Sequence, residues 1–573
     1  MKPTKKAKKK TPKLSIEEKR ERRLQSNHKK LIRTTFDAFG FSRSKSVADK
    51  EFTYDGATSD FDDVFIRDNV IILVEYTTSG ESKVSEHLKK KHILYQKITA
   101  NASAFFDFLK KNFAGFSGEV DSTYLPHQIR IRILYCSLNP VSSTTKNLVP
   151  DPYYYDYNVA KYFRATSLAT RQSGRFEVFE FLNLKSDEIG DRVKTKSVSS
   201  DRFSGSVLPE GHSNFGTGFK VVSFYANPKA ILSRSYVLRR GGWRDGGAAY
   251  QRMIDVSKIL NIRKYLKEER RVFINNIIVT LPADTKIVDD EGNTIKPDSV
   301  QDTSPANIQL TSDFNSIGLI DGQHRVMSYH EGGIFDEEIS VMRDQQNLLI
   351  TGIVFPVGMS DLDKLKFEAK VFLEINSQQT RVRSDIRQEI NALLSPFSSE
   401  AIAKLVMRML NDEHGPLRDH FERFTFEKNK VKTASIVSFG LRPLVSPTAE
   451  AGLFKLWDAG KQAKLLEGRD VALLNEYAAF CRTEINALFS SVRHRLTSTR
   501  WTADRSVEGS FLNTTNINGV IALLRRITKT GKLHDFEYYS GKLEDLDSFV
   551  FNFKSSQYGS LGDHLFDSFF AEE

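Results

Sequence analysis

Two groups of residues in this chain have types and spacing that could do chemistry. The first is Asp321-Gly322-Gln323-His324-Arg325, which follows the apolar run Ile317-Gly318-Leu319-Ile320 and precedes the helix-compatible Val326-Met327-Ser328-Tyr329. A strand that stops at Asp-Gly and restarts as a helix leaves backbone N–H groups and a positive dipole end at the junction, which favours a bound anion such as a phosphate. Arg325 can add a bidentate contact to oxygens, and His324 is the side chain most easily tuned to exchange a proton near neutrality. The same residues also fit a plain capped helix start, with Asp321 as N-cap and Gly322 easing the turn. The second group is acidic. Asp62 and Asp63 lie in one short apolar stretch, and Glu75 stands near the end of the next, Val70-Ile71-Ile72-Leu73-Val74-Glu75-Tyr76.

These residues need elements to hold them. Ser15-Ile16-Glu17-Glu18 reads as a capping box that opens a basic helix through about residue 35, after a Lys-rich segment, 1–13, whose composition predicts disorder. Strands are expected at 51–54, 61–66, 70–76 and 128–136, with a turn at Asp68-Asn69 and one helix over 85–112. Helices follow near 156–170 and 176–189. The polar, Gly-containing run 194–218 reads as a linker or mobile loop. Further strands are expected at 219–225, 274–281, 316–320, 349–357 and 371–375, and helices at 228–240 and from about 253 to 266. Gly241-Gly242-Trp243-Arg244-Asp245-Gly246-Gly247 lacks both the GxGxxG spacing and a Walker lysine, so it is no nucleotide loop by itself. Beyond residue 396 the pattern is helical, at 400–411, 449–466, 471–488 and 517–527. There, Arg493-His494-Arg495 and Arg500-Trp501 suit a phosphate backbone or a solvated helix face equally well.

A chain of 573 residues exceeds one core and suggests about three or four domains. Cys136 and Cys481 are its only cysteines, too few for a zinc ribbon or a disulfide scaffold, which points to a reducing cytoplasm. No apolar run reaches the ~20 residues of a membrane span, so no membrane partner is expected. The net charge of +11 has an uneven source. Residues 1–33 hold fourteen Lys/Arg and three Glu, and the rest of the chain is neutral. A basic tail on a neutral body attracts phosphate backbones without reading sequence, and a solubilising tail has the same composition.

Helix, three strands, helix and strand, with acids on the second and third strands, resembles the restriction-endonuclease-like PD-(D/E)xK fold. The resemblance implies that Asp62 or Asp63 converges with Glu75 on a divalent metal, which activates water and stabilises the leaving oxyanion. The family's lysine stands two residues after the glutamate, where this chain has Thr77. Lys83, Lys89 or Lys90 could supply it from the following loop or helix. Without a lysine the resemblance implies an inactive, DNA-binding relic, and solvent-facing acids at strand ends are the plainer alternative.

Asp321-Gly322-Gln323-His324-Arg325 resembles the signature of the DGQHR-domain proteins, a group that includes the DndB-like proteins of DNA sulfur-modification systems. Tyr250-Gln251-Arg252 and Glu374-Ile375-Asn376…Gln379 match the same family in order and separation across roughly 215–395. That family's core is similar to the ParB/sulfiredoxin superfamily, in which three such segments surround a nucleoside triphosphate. The resemblance implies that Gly322, Arg325 and Arg252 hold phosphates, with Gln251, Asn376 and Gln379 as further nucleotide contacts. It also implies that Glu374 or Asp321 holds Mg2+ or positions water, that His324 and Gln323 act at the phosphate, and that Tyr250 stacks on a base. Gln323-His324 departs from the ParB-like turn, which leaves the choice between ATP and CTP, and the reaction, open.

The expectation is therefore an α+β chain: a basic tail (1–33), a restriction-endonuclease-like α/β domain (34–140), a linker with helices (141–214), a ParB-like DGQHR domain (215–395) and a helical C-terminal region (396–573). The expected function is that of a cytoplasmic, nucleoid-associated protein of a bacterial DNA-modification or phage-defence system that binds DNA and a nucleoside triphosphate with Mg2+. A Mg2+-dependent endonuclease with a nucleotide-sensing domain and a non-enzymatic DNA-binding regulator are the alternatives. Other defence proteins are expected partners, and the oligomeric state is left open.

Overall fold

The computed structural model describes residues 15–191, 193, 202–237, 243, 254–379, 384–423 and 427–571; of Ile16, Glu17, Arg20 and residues 377–379 it describes the backbone alone. The fold is mixed α/β with a helical C-terminal region. The chain divides into two units, residues 1–237 with 254–359, and residues 238–253 with 360–573.

The first unit opens with α1 (Ile16–Ala38) on the expected capping box: Glu18 N–H donates to Ser15 Oγ at 3.1 Å, and Ser15 N–H to Glu18 Oε2 at 2.7 Å. Then come β1 (Ser42–Arg43), the hairpin β2 (Phe52–Tyr54) and β3 (Ala57–Ser59), β4 (Asp63–Arg67), β5 (Val70–Thr77), α2 (Glu81–Ala100), α3 (Ala102–Asn112), β6 (Arg130–Ser137) and β7 (Tyr153–Asp156). The sheet order is β1-β4-β5-β6-β7. β1, β4 and β5 run antiparallel, whereas β5, β6 and β7 are parallel, with α2 and α3 in the crossover. The single helix expected over 85–112 is broken at Asn101, which leaves helical geometry (φ −140°, ψ 71°) and caps α3 with its side chain. Val64, Ile71, Leu73, Ile131 and Ile133 pack with Leu88 and Tyr95 of α2 on one face. On the other face Phe36 of α1 stacks on Phe65, with ring centroids 4.7 Å apart. Burial on both faces explains the unbroken apolar run of β5.

The second sheet of this unit has eight strands. α4 (Tyr157–Thr170) and α5 (Arg175–Phe181) lead into β8 (Arg202–Val207), β9 (Lys220–Ala226), β10 (Ser235–Tyr236), α6 (Val256–Glu269), β11 (Ile277–Leu281), β12 (Lys286–Val288), β13 (Ser304–Gln309), β14 (Ile317–Asp321), α7 (Gln323–Met327), α8 (Asp336–Gln345) and β15 (Leu348–Val354). The order is β10-β14-β11-β15-β9-β8-β13-β12. Two expectations change here. β8 lies inside the stretch read as a linker, where its polar residues had hidden it; it pairs with β9 and β13, and Gly205 is required because a Cβ would meet Ser223 O at 2.1 Å. The helix expected over 228–240 stops at Leu232, because the chain turns to pair β10 with β14, and Arg234 holds the turn by donating to Thr311 O (2.6 Å) and Ala230 O (2.7 Å).

The second unit contains α9 (Asp361–Gln379), α10 (Ser384–Leu394), α11 (Ser399–Asp412), α12 (Val471–Arg495), α13 (Thr514–Thr528) and α14 (Tyr558–Phe569). The strand expected at 371–375 is part of α9. Glu368, Ala369, Val371 and Phe372 are buried while Lys370 and Glu374 face water, which is the spacing of a helix and not of a strand. The helix expected over 449–466 is two pieces, Leu453–Leu456 and Ala459–Gly468. Arg495 donates to Ser540 O at 2.7 Å and Arg500 to Asp547, so the C-terminal basic cluster is partly spent on its own fold. Among the described residues no helix is long and apolar enough to cross a membrane.

Candidate functional site

β4 and β5 carry the acids, and their register decides which can act together. Asp63 pairs with Val74, so strand alternation puts Asp63 on the same face as Val74 and Tyr76, and Glu75 on the opposite one. Asp63 and Glu75 therefore do not converge on one ion. The Asp63 carboxylate is fully buried on the α1 face. Arg33 donates from Nε to Oδ2 at 2.7 Å and from Nη2 to Oδ1 at 3.1 Å, Arg43 of β1 donates to Oδ1, and the Tyr76 hydroxyl donates to Oδ2 at 2.7 Å. Such a carboxylate is a structural anchor. Asp62 sits one residue before the ladder. Its Oδ1 takes Lys29 Nζ at 2.5 Å and its Oδ2 takes the Tyr76 N–H at 2.9 Å.

Glu75 has the other environment. Its side chain is 5% exposed, and its one ion pair among the described residues is Lys91 of α2, which donates to Oε1 and also, at 3.0 Å, to the Asp60 carbonyl. Burial pushes the Glu75 carboxyl up to about 7; Lys91 opposes the shift, and the charges of Asp62 and Asp60 add to it. Lys91 stands between His87 and Tyr95 at four-residue spacing, so all three share one face of α2. Tyr135 of β6 lies beside Glu75 in the parallel register, and its hydroxyl is 3.3 Å from His87 Nδ1. Burial, and then Lys91, push the His87 imidazole down, while burial and the Glu75 charge push the Tyr95 phenol up. The ammonium sought after Glu75 is thus Lys91, whereas Lys83, Lys89 and Lys90 are exposed and Lys90 pairs with Glu86. Helix phase explains the difference, since Val84, Leu88 and Tyr95 fix the inward face and Lys91 falls on it. That four-residue stripe of His, Lys and Tyr was the sequence signal for Lys91.

Among the described residues no three His, Cys, Asp or Glu groups come together to hold a metal. The Asp62 charge is near enough to push the Glu75 carboxyl up, and Mg2+ needs only one or two carboxylates when water and a substrate phosphate complete its octahedron.

The DGQHR turn is built differently from either sequence reading. Asp321 ends β14 and Gly322 is the N-cap, with no side-chain cap, so Asp321 does not cap α7. Its Oδ2 instead accepts from Arg325 at 3.0 Å. Gly322 adopts φ +89°, and a Cβ there would lie 2.5 Å from Ile277 Cδ1 and 3.2 Å from the Arg325 guanidinium, so only glycine fits. α7 is five residues long and sums few peptide dipoles. His324 Nε2 accepts the Asp255 N–H at 3.0 Å, which leaves Nδ1 as the protonated nitrogen of the neutral ring. Gln323 Oε1 is buried and accepts no hydrogen bond from the described residues. Behind the turn, the buried Arg263 of α6 donates to the carbonyls of Ser328 (2.8 Å), His330 (2.9 Å), Gly332 (3.2 Å) and Ile334 (2.9 Å). Arg343 adds Tyr329 O and His330 O. Burial and then the Arg263 charge push His330 down to about 3, so it is a neutral part of the frame. Neither arginine was singled out from sequence, because a buried arginine that binds carbonyls has no spacing rule.

The remaining candidates are not assembled around this turn by anything the structure describes. Tyr250, Gln251 and Arg252, and the side chain of Gln379, lie outside the described residues. Glu374 and Asn376 belong to α9 of the second unit, where Glu374 is 59% exposed and Asn376 Nδ2 donates back to Phe372 O at 2.9 Å. Two residues apart on a helix they point roughly 200° apart and cannot share a ligand. No family model, no curated protein and no solved structure matches the chain.

Proposed function

We propose that this is a DNA-associated protein whose first domain is a Mg2+-dependent phosphodiesterase of the PD-(D/E)xK kind, working in a bacterial DNA-modification or phage-defence system. The observation that carries the reading is Lys91 on Glu75, at the end of β5, with Asp62 one residue before β4. The order helix, β4, β5, helices, β6, antiparallel between β4 and β5 and parallel across the helices, supports it too, although the first expected strand, 51–54, pairs only with β3 and the two-residue β1 stands beside β4 in its place. Asp62 and Glu75 would hold the cation, which supplies charge neutralisation at the phosphate and a more acidic bound water. The chain's own residues do the rest. Lys91 favours the ionised form of Glu75 against its burial and presents an ammonium where negative charge develops on a phosphate oxygen. His87 and Tyr135 hold each other and fix the floor beneath that ammonium. Cleavage of duplex DNA with Mg2+ or Mn2+ tests this. Glu75→Gln and Lys91→Met should each lower the rate at least ~100-fold, the usual range for a lost electrostatic group. Full activity in Lys91→Met, or none in the wild type with either metal, sinks it.

A second reading concerns the DGQHR turn. The Arg325 guanidinium held over the Gly322 turn supports a nucleotide-phosphate site there. Calorimetry with ATP and with CTP should show binding lost in Arg325→Ala and His324→Ala and kept in Glu75→Gln. DNA binding without either activity would leave a DNA-binding regulator.

A further inference from the structure

The face of α1 that carries Arg22, Gln25, Ser26, Lys29, Lys30 and Arg33 forms a shallow concavity of about 430 Å³. Four of these six residues are cations, and Arg22 and Lys30 are exposed. From Arg22 to Arg33 the helix rises about 16 Å, several times the ~3.4 Å of duplex axis per phosphate of one strand. In sequence, seven lysines of residues 1–14 precede this face. At its C-terminal end the cations turn inward. Arg33 is committed to buried Asp63, but Lys29, with 31% of its side chain exposed, pairs with Asp62, which is 26% exposed.

We infer that this face of α1 is the docking surface for a nucleic-acid backbone, and that Lys29 leaves Asp62 for a phosphate when the backbone docks. Charge complementarity selects the occupant: the face is a row of fixed cations with no apolar patch among its lining residues, which suits a polyanion and not a membrane or an apolar peptide. The exchange follows from position. Lys29 is the one lining residue that is both partly exposed and bonded to an acid that is itself partly exposed, so either partner can be reached by a competitor. A docked phosphate takes the ammonium and uncovers Asp62 Oδ1, while Oδ2 stays on the Tyr76 N–H. Resting on the proposed role of Asp62 as a metal ligand, DNA and divalent cation then bind with positive coupling, each tightening the other by the same factor.

The experiment measures binding of a 20-bp duplex to the full chain in EDTA, by fluorescence anisotropy across a salt series. Arg22→Gln with Lys30→Gln should weaken binding about 10-fold or more at low salt and lower the log–log salt slope by roughly 1.8, two phosphates at ~0.9 each. Asp62→Asn should tighten binding several-fold by releasing Lys29, and most of that gain should vanish when Lys29→Gln is also present. An unchanged slope in the double variant overturns the docking surface, and the same gain with or without Lys29 overturns the exchange. Preferential binding to anionic vesicles over the duplex overturns the choice of occupant. Mn2+ affinity, read by electron paramagnetic resonance, should rise about 5-fold on adding duplex to the wild type and be raised already in Lys29→Gln without DNA. If the EDTA results hold and no metal binds, the phosphodiesterase reading fails and the docking surface stands.

Discussion

Asp63 and Glu75 are both buried carboxylates on adjacent strands of one sheet, and they could hardly be held more differently. Asp63 has two arginines and a tyrosine hydroxyl, so its charge is balanced and its oxygens are filled. Glu75 has one lysine and a carboxyl pushed up to about 7. Near-equal burial of the same chemical group thus yields a fully paired anchor on one face and, on the other, a carboxyl pushed up with a single cationic partner among the described residues. The difference lies in how many donors each neighbouring helix and strand brings.

The sharpest way to break this contrast is Asp63→Ala. It leaves Arg33 and Arg43 facing a cavity and should cost about 3 to 4 kcal/mol in urea unfolding, the lower part of the range for broken buried pairs, because both arginines keep over a third of their surface in water. Glu75→Gln should instead change stability in a pH-dependent way. The folded carboxyl titrates at about 7 against an ordinary 4.5, so the folded chain binds that proton more tightly than the unfolded one. Its contribution is complete below about 4.5, declines as pH rises through the window to about 7, and is gone above it. Over that window, in metal-free buffer, wild type should lose on the order of 3 kcal/mol relative to Glu75→Gln. A flat difference would show that Glu75 is as well satisfied as Asp63. Next in size, Tyr76→Phe removes one donor from Asp63 and should cost about 1.5 to 3 kcal/mol by thermal unfolding. The smallest effect is expected for Lys91→Met at pH 5, where Glu75 is already protonated: under ~1 kcal/mol in urea unfolding.

The parts of this that sequence could read were the ones with a period. The continuous apolar β5, the capping box of α1 and the strand–turn–helix of the DGQHR segment follow from patterning and turn chemistry, and they stand where expected. Choosing between Asp62 and Asp63 needed the register of β4 on β5, because a one-residue slip exchanges the two faces, and nothing in either strand alone sets it. Lys91 needed helix phase, which Asn101 obscured by breaking one expected helix into two. The 371–375 segment was misread because Val371-Phe372-Leu373 has strand composition, while its burial follows the helix that began ten residues earlier. β8 was missed because Ser204, Gly205 and Ser206 carry no apolar signal, their place being set by backbone pairing alone.

Tyr76 holds both aspartates at once, through its amide to Asp62 and its hydroxyl to Asp63. Asp62 is therefore aimed by a backbone group that cannot turn away while the strand is intact. In the proposed role of metal ligand, a carboxylate so held gives up little rotational freedom on capture, and the free energy of capture is spent on the cation and not on finding a rotamer. The anchoring of Asp63 is, in that sense, what keeps Asp62 preorganised. Loosening Asp63 should accordingly blunt metal capture at Asp62 even in molecules that remain folded.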